Sequence, residues 1–231
     1  MDIVIKFFVS LLIASGLIFT FNSSKSLFDH KDIESLNLKG VNKLMIVAHP
    51  DDETIWGGSR LIEDDYLVVC ITCGNNKIRS KELKKAMQIS NNPYIMLGYP
   101  DTVKGVRSDW KKEYDQIKKD LRKIINYKNW DLIVTHNPEG EYGHEHHKMT
   151  NEIVTELCSD KDKLYYFGKY YRPSIMKRVK NNLKKIDSKV LETKLEMIKV
   201  YKSQSFIAER FGHMFEYENW IKATEWNDFV V

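Results

Sequence analysis

Leu44-Met45-Ile46-Val47-Ala48 runs directly into His49-Pro50-Asp51-Asp52-Glu53, and this stretch decides the fold. Five apolar residues in a row read as a strand buried on both faces, as in a parallel sheet covered by helices. Further runs of this kind are Tyr66–Thr72, Tyr94–Leu97 and Asp131–Thr135, with a weaker one at Leu164–Phe167. Between them lie segments with apolar residues at helical spacing: 80–89, 113–127, 148–158 and 187–201. The clearest carries Tyr114, Ile117, Leu121, Ile124 and Ile125 on one stripe. Asp187-Ser188 reads as the cap of the last. Strands alternating with helices predict an α/β domain built on an open, mostly parallel sheet with helices on both faces.

The composition excludes several classes. With 231 residues and 42% hydrophobic residues the chain can bury a real core, so wholesale disorder is excluded. Eleven Gly and five Pro exclude a collagen-like or low-complexity chain. Thirty-six Lys and Arg against 32 Asp and Glu leave a net charge of only +4, which argues against a dedicated nucleic-acid binder. Three cysteines cannot form a disulfide framework, and their odd number suits a reducing compartment for the folded part. Cys70 and Cys73 are spaced as C-x-x-C, but on an extended strand their sulfurs face opposite sides, so both read as core residues.

The N-terminus reads as a separate object. Residues 7–21 carry no charge, and adding Ile3, Val4 and Ile5 lengthens the stretch across Lys6. A membrane-spanning helix needs about 20 apolar residues. Residues 3–21 therefore read as a short single-pass membrane anchor, as a secretory signal removed by cleavage, or as a buried core helix. The expected organisation is a hydrophobic segment over 1–24, a polar linker over 25–40 and one domain over 41–231. The aromatic residues of the last thirty positions, Phe206 to Phe229, read as packing against the domain edge.

Two clusters carry chemistry. His49, Asp51 and Asp52 follow the first strand, and ligands of open α/β sheets bind at strand carboxyl ends. Imidazole and carboxylate are also the ligand types of catalytic zinc sites. One of the two adjacent carboxylates could bind a metal while the other faces the substrate as a base; alternatively, either could simply cap a following helix. The second cluster, His136-Asn137-Pro138-Glu139-Gly140-Glu141-Tyr142-Gly143-His144-Glu145-His146-His147, follows the strand ending at Thr135. A helix starting near Gly143 would place His144 and His147 on one face.

His49-Pro50-Asp51-Asp52-Glu53 resembles the first signature of the zinc-dependent de-N-acetylases of the PIG-L/LmbE-like family, and Gly143-His144-Glu145-His146-His147 resembles the second. Arg79-Ser80-Lys81-Glu82 and Tyr201-Lys202-Ser203-Gln204 resemble two supporting motifs. The resemblance spans about residues 43–205. It implies a Rossmann-like domain, one divalent metal, usually Zn2+, and a substrate carrying an N-acetylated amino sugar, either lipid-linked like N-acetylglucosaminyl-phosphatidylinositol or soluble. It makes His49, Asp52 and His147 the metal ligands and Asp51 the general base. His144 would stabilise or protonate the transition state, Tyr142 would help hold the oxyanion, and Arg79 would contact the sugar or its aglycone. His146 stands where many members have Asp or Asn; it would orient His147 or the base from behind. With the N-terminal segment, the resemblance points to a membrane-anchored enzyme, or to a secreted one if the segment is cleaved. The same residues would also serve a non-catalytic metal- or glycan-binding protein, or a hydrolase of another acyl bond.

Overall fold

The computed structural model describes residues 26–228. The chain begins with a short helix, α1 (His30–Glu34), and enters the central strand β1 (Lys43–Val47). It continues through α2 (Asp52–Glu63), β2 (Tyr66–Thr72), α3 (Lys77–Ser90) and β3 (Tyr94–Tyr99). A two-stranded hairpin, β4 (Thr102–Val103) and β5 (Val106–Arg107), leads to α4 (Tyr114–Ile125), β6 (Leu132–Thr135), α5 (Glu145–Leu157) and β7 (Leu164–Tyr166). The C-terminal part adds α6 (Pro173–Val179), α7 (Ser188–Val200), α8 (Ile207–Phe211) and the edge strand β8 (Ile221–Lys222).

The main sheet has the order β3-β2-β1-β6-β7-β8. All its pairings are parallel except β7 with β8. Side-chain alternation divides the core into two layers. Leu44, Ile46, Leu67, Val69 and Ile71 face α4 and α5 through Ile117, Leu121, Ile153 and Val154. Met45, Val47, Tyr66, Val68 and Cys70 face Ile55, Leu61, Leu83 and Met197 of α2, α3 and α7. Both faces are thus covered, and the α/β, mostly parallel architecture matches the strand reading.

The differences from the sequence reading have physical causes. Helix α2, absent from the helical segments read in the sequence, carries Gly57-Gly58. Here the pair permits close approach: a Cβ at Gly57 would lie 2.6 Å from Met45 Cε, and one at Gly58 2.9 Å from Lys194 Cγ. The stretch expected as a linker over 25–40 packs on the domain from Ser26 onward. Asp29 and Asp32 form a capping box on α1, and Phe28 and Ile33 are buried in the core. Ser26 Oγ and the Leu27 N–H donate to the buried Asp120 carboxylate.

The membrane-anchored location expected from residues 3–21 is corrected. Those residues, and the signal reading placed on them, lie outside the described residues. Among the described residues no helix is long and apolar enough to cross a bilayer. Of the C-terminal aromatics, Phe211, Phe215, Tyr217 and Trp226 are buried, whereas Phe206 is exposed beside a cleft. Phe229 lies outside the described residues.

Candidate active site

The chain leaves β1 toward β2 on one side, while β6 lies on the other, so the strand order reverses between β1 and β6. A crevice opens there at the carboxyl ends, where ligands of such sheets bind. Both chemical clusters emerge into it. The cleft measures about 360 Å³ and is lined by His49, Asp51, Asp52, Tyr142 and His144. Arg107 of β5 and Arg210 of α8 flank it. A volume of this size suits a small ligand.

Hydrogen-bond partners fix the imidazoles. The Ser108 carbonyl can only accept, so His146 Nε2, 2.6 Å away, donates to it. His146 Nδ1 then accepts from His49 Nε2–H at 2.9 Å, leaving a lone pair on His49 Nδ1. Glu141 accepts from His147 Nδ1–H at 2.5 Å, which turns His147 Nε2 inward. His49 Nδ1, Asp52 Oδ2 and His147 Nε2 therefore converge. Oδ2 lies 3.1 Å from the first nitrogen and 3.3 Å from the second, and the nitrogens are 3.3 Å apart. Three acceptors this close repel unless a cation sits among them. Burial alone would lower the His147 pKa, yet Asp52 and Glu141 outweigh it and push it up to about 10. The same two carboxylates favour a metal dication. The donor set fits a divalent metal: two imidazole nitrogens and one carboxylate oxygen leave open positions, as in catalytic zinc sites.

Two other groups of close ligand atoms are already spent. His136 Nε2 accepts the Ala48 N–H at 2.9 Å, so its Nδ1 donates to Glu141 at 3.0 Å. His136, Glu141 and His147 thus form a bonded scaffold. In the group His49, His144 and His146, both ring nitrogens of His146 are engaged.

Asp51 stands beside the converging set at the start of α2, with φ 128 and ψ −31, a conformation costly for a residue with a side chain. Its side chain makes no cap hydrogen bond, which removes the plain capping reading. Glu53 accepts the Asp51 N–H at 2.9 Å, and Arg79 Nη2 lies 3.3 Å from Asp51 Oδ2. Burial and the adjacent Asp52 charge raise the Asp51 pKa well above the usual carboxylate range, against the pull of Arg79. Arg79 also donates to the Pro50 carbonyl, so it grips the first motif as well as lining the cleft. The two remaining motifs lock onto these residues. Tyr201 donates to Glu53, and Glu82 accepts from the Ser203 N–H and hydroxyl at 2.8 and 2.6 Å.

His144 caps α5, which starts at Glu145, close to the expected start near Gly143, and its Nδ1 accepts the His146 N–H at 3.2 Å. Burial and the neighbouring His49 push its pKa down to about 2, so it stays neutral and carries its proton on Nε2. Tyr142 stands edge-on to His144 and His147, with the Arg210 guanidinium 4.5 Å from its ring centre. His146 bonds His49, not His147 or Asp51 as expected. The sequence reading missed His136 and Glu141 as scaffold residues, although both fall within its second cluster. It also missed Trp110, which stacks on His146 from a distant loop.

The sequence model of the PIG-L family, described as GlcNAc-PI de-N-acetylase, matches residues 44–158. A protein of Acanthamoeba polyphaga mimivirus, named Uncharacterized protein L374, is 31% identical over 199 residues, covering 77% of this chain and 78% of its own. The chain belongs to the PIG-L family. Membership places it among de-N-acetylase-type hydrolases, which act on N-acetylated sugar-type substrates and are typically metal-dependent. Among solved structures it resembles the A40926 pseudoaglycone deacetylase Dbv21, with TM-score 0.55, 14% identity, and coverage of 74% of this chain and 85% of that one. It also resembles the 4-carboxy-2-hydroxymuconate hydratase GalB of Pseudomonas putida, with TM-score 0.53, 13% identity, and coverage of 75% and 84%. A deacetylase and a hydratase share this fold, so the chemistry has to be argued from the site.

Proposed function

We propose that this PIG-L family protein is a zinc-dependent deacetylase that hydrolyses the acetamide of an N-acetylglucosamine-type conjugate to acetate and a free amine. The observation that carries the reading is a buried Asp51 carboxylate, held by Arg79 and free of any helix-cap bond, beside three converging donors in a sugar-sized cleft. His49, Asp52 and His147 would hold the metal. A divalent ion there supplies Lewis acidity, which polarises an amide carbonyl and acidifies water. Asp51 takes the proton of the attacking water; burial and the neighbouring Asp52 charge make it the more basic of the two adjacent carboxylates. His144 Nε2–H and the Tyr142 hydroxyl donate to the oxygen that gains charge as the carbonyl carbon becomes tetrahedral. The C–N bond then breaks, and the proton held by Asp51 passes to the departing nitrogen. Arg79 keeps Asp51 oriented and faces the sugar side of the cleft.

The test is acetate release from N-acetylglucosamine, a nucleotide-linked form and a phosphatidylinositol-linked form, using protein lacking residues 1–24. Each is assayed metal-free and after Zn2+ loading. Zinc-dependent release from any of them supports the reading, and the preferred substrate identifies the aglycone. Folded, zinc-loaded protein that releases acetate from none of them, or an Asp51→Ala protein as fast as wild type, refutes it.

A further inference from the structure

We propose that His146 is a positioning residue that fixes the tautomer of His49, through a relay of hydrogen bonds ending on the Ser108 carbonyl. The inference rests on the reading of His49 as a metal ligand. His49 can meet a cation with either ring nitrogen, and its local contact does not settle the choice: Asp52, three residues on, faces Nδ1 at 3.1 Å and would accept a proton from it as well as share a cation with it. The choice is made across the cleft. His146 Nε2–H is committed to Ser108 O at 2.6 Å, which obliges its Nδ1 to accept. His49 Nε2 lies 2.9 Å from that acceptor and must donate, so Nδ1 is left facing Asp52 and His147.

The relay is built rigidly. The His146 ring stacks on Trp110 at 4.0 Å between centroids and 4° between planes. Trp110 is fully buried and donates Nε1–H to the Pro100 carbonyl at 2.7 Å. The stack holds the ring plane and the Ser108 bond holds its tautomer, so His49 Nε2 meets an acceptor of fixed orientation at 2.9 Å, nearer than the Asp101 carboxylate at 3.6 Å. An imidazole does this without charge. A carboxylate in its place would take the same hydrogen bond and add a negative charge to the site.

Two variants separate the relay from the packing. His146→Phe keeps a ring on Trp110 but offers no acceptor. His146→Asn puts Oδ1 close to the position of ring Nδ1 and keeps the acceptor. Zn2+ affinity is measured by chelator competition, alongside ¹⁵N-imidazole spectra of the metal-free wild-type protein. The spectra are expected to show His49 protonated on Nε2 only. His146→Phe is expected to bind Zn2+ about 10- to 100-fold more weakly, the usual loss when a ligand's supporting partner is removed. His146→Asn is expected to stay within about threefold of wild type. A His49 proton on Nδ1 overturns the proposal, as does wild-type affinity in His146→Phe or an equal loss in both variants. Should His146→Phe fail to fold, the wild-type spectra still decide. Wild-type protein that binds no Zn2+ would instead refute the metal reading, and the spectra would judge the relay separately.

Discussion

Glu141 holds the second cluster together, and Glu141→Gln measures how much depends on it. Its carboxylate is buried and accepts three donors. Oε2 takes His147 Nδ1–H at 2.5 Å and His136 Nδ1–H at 3.0 Å, while Oε1 takes the Asn137 N–H at 2.9 Å. Burial would raise its pKa, but the two imidazoles outweigh burial and hold it at about 2, so all three bonds go to a charged acceptor. Glutamine has one acceptor oxygen. Placed at the Oε2 position, it serves both imidazoles and turns its NH2 against the Asn137 N–H. One buried donor then goes unpaired, at about 1–3 kcal/mol. Two charge-assisted bonds become neutral, at about 1 kcal/mol each. The expected loss is about 3–5 kcal/mol, or about 6–20 °C in Tm for a chain of this length. Thermal unfolding should be measured metal-free, because bound metal would stabilise the native state and mask the loss. Zn2+ affinity, measured separately, should fall about 10- to 100-fold as His147 loses its tautomer anchor. Metal-free Tm within about 2 °C of wild type, with unchanged Zn2+ affinity, would refute the scaffold role.

Asp51→Asn should lower kcat about 10²- to 10⁴-fold while zinc content stays at the wild-type level, checked by acetate release and metal analysis. Lys194 is buried with Nζ on Glu218 at 2.5 Å and on the Ile55 and Phe215 carbonyls, so Lys194→Ala should cost about 3–5 kcal/mol in urea unfolding. The double variant Lys194→Met with Glu218→Gln should be the more stable of the two; equal stability would show that the unpaired Glu218 charge is not the cause. Burial would raise the Asp120 pKa, but hydrogen bonds from Ser26, Tyr99, Leu27 and Gln116 outweigh burial and lower it. Its stabilisation is full above the unfolded value of about 3.9 and fades as pH falls through the lowered folded value. Asp120→Asn should therefore be less stable at pH 7 and show a shallower decline in stability below about pH 4 in urea titrations.

How much of this was legible depended on whether a signal was local. The buried strands were, because β1 from Leu44 and β2 as far as Ile71 are apolar at every position, and a continuous run survives without knowledge of partners. The motifs were legible for the same reason: His49 to Glu53 and Gly143 to His147 are contiguous. Helix α2 was not, since its Gly57-Gly58 makes sense only once Met45 and Lys194 are known to press against it. Nor was α1, where Phe28 and Ile33 are two apolar residues in a polar stretch, buried because Asp120 fastens the chain at Ser26 and Leu27. The same division runs through the site. The proposed donor residues followed from the resemblance of the two motifs to the family's signatures, but their protonation did not. The proton that decides which nitrogen His49 offers is set by a backbone carbonyl at Ser108 and a tryptophan at 110, in a loop carrying no motif. Glu141 was visible in the sequence as one carboxylate among histidines, and its role followed only when two imidazoles were found sharing it. The geometry proposed to hold a metal is thus a property of the hydrogen-bonded shell as much as of the motif, and substitutions in that shell are where the reading is most exposed to test.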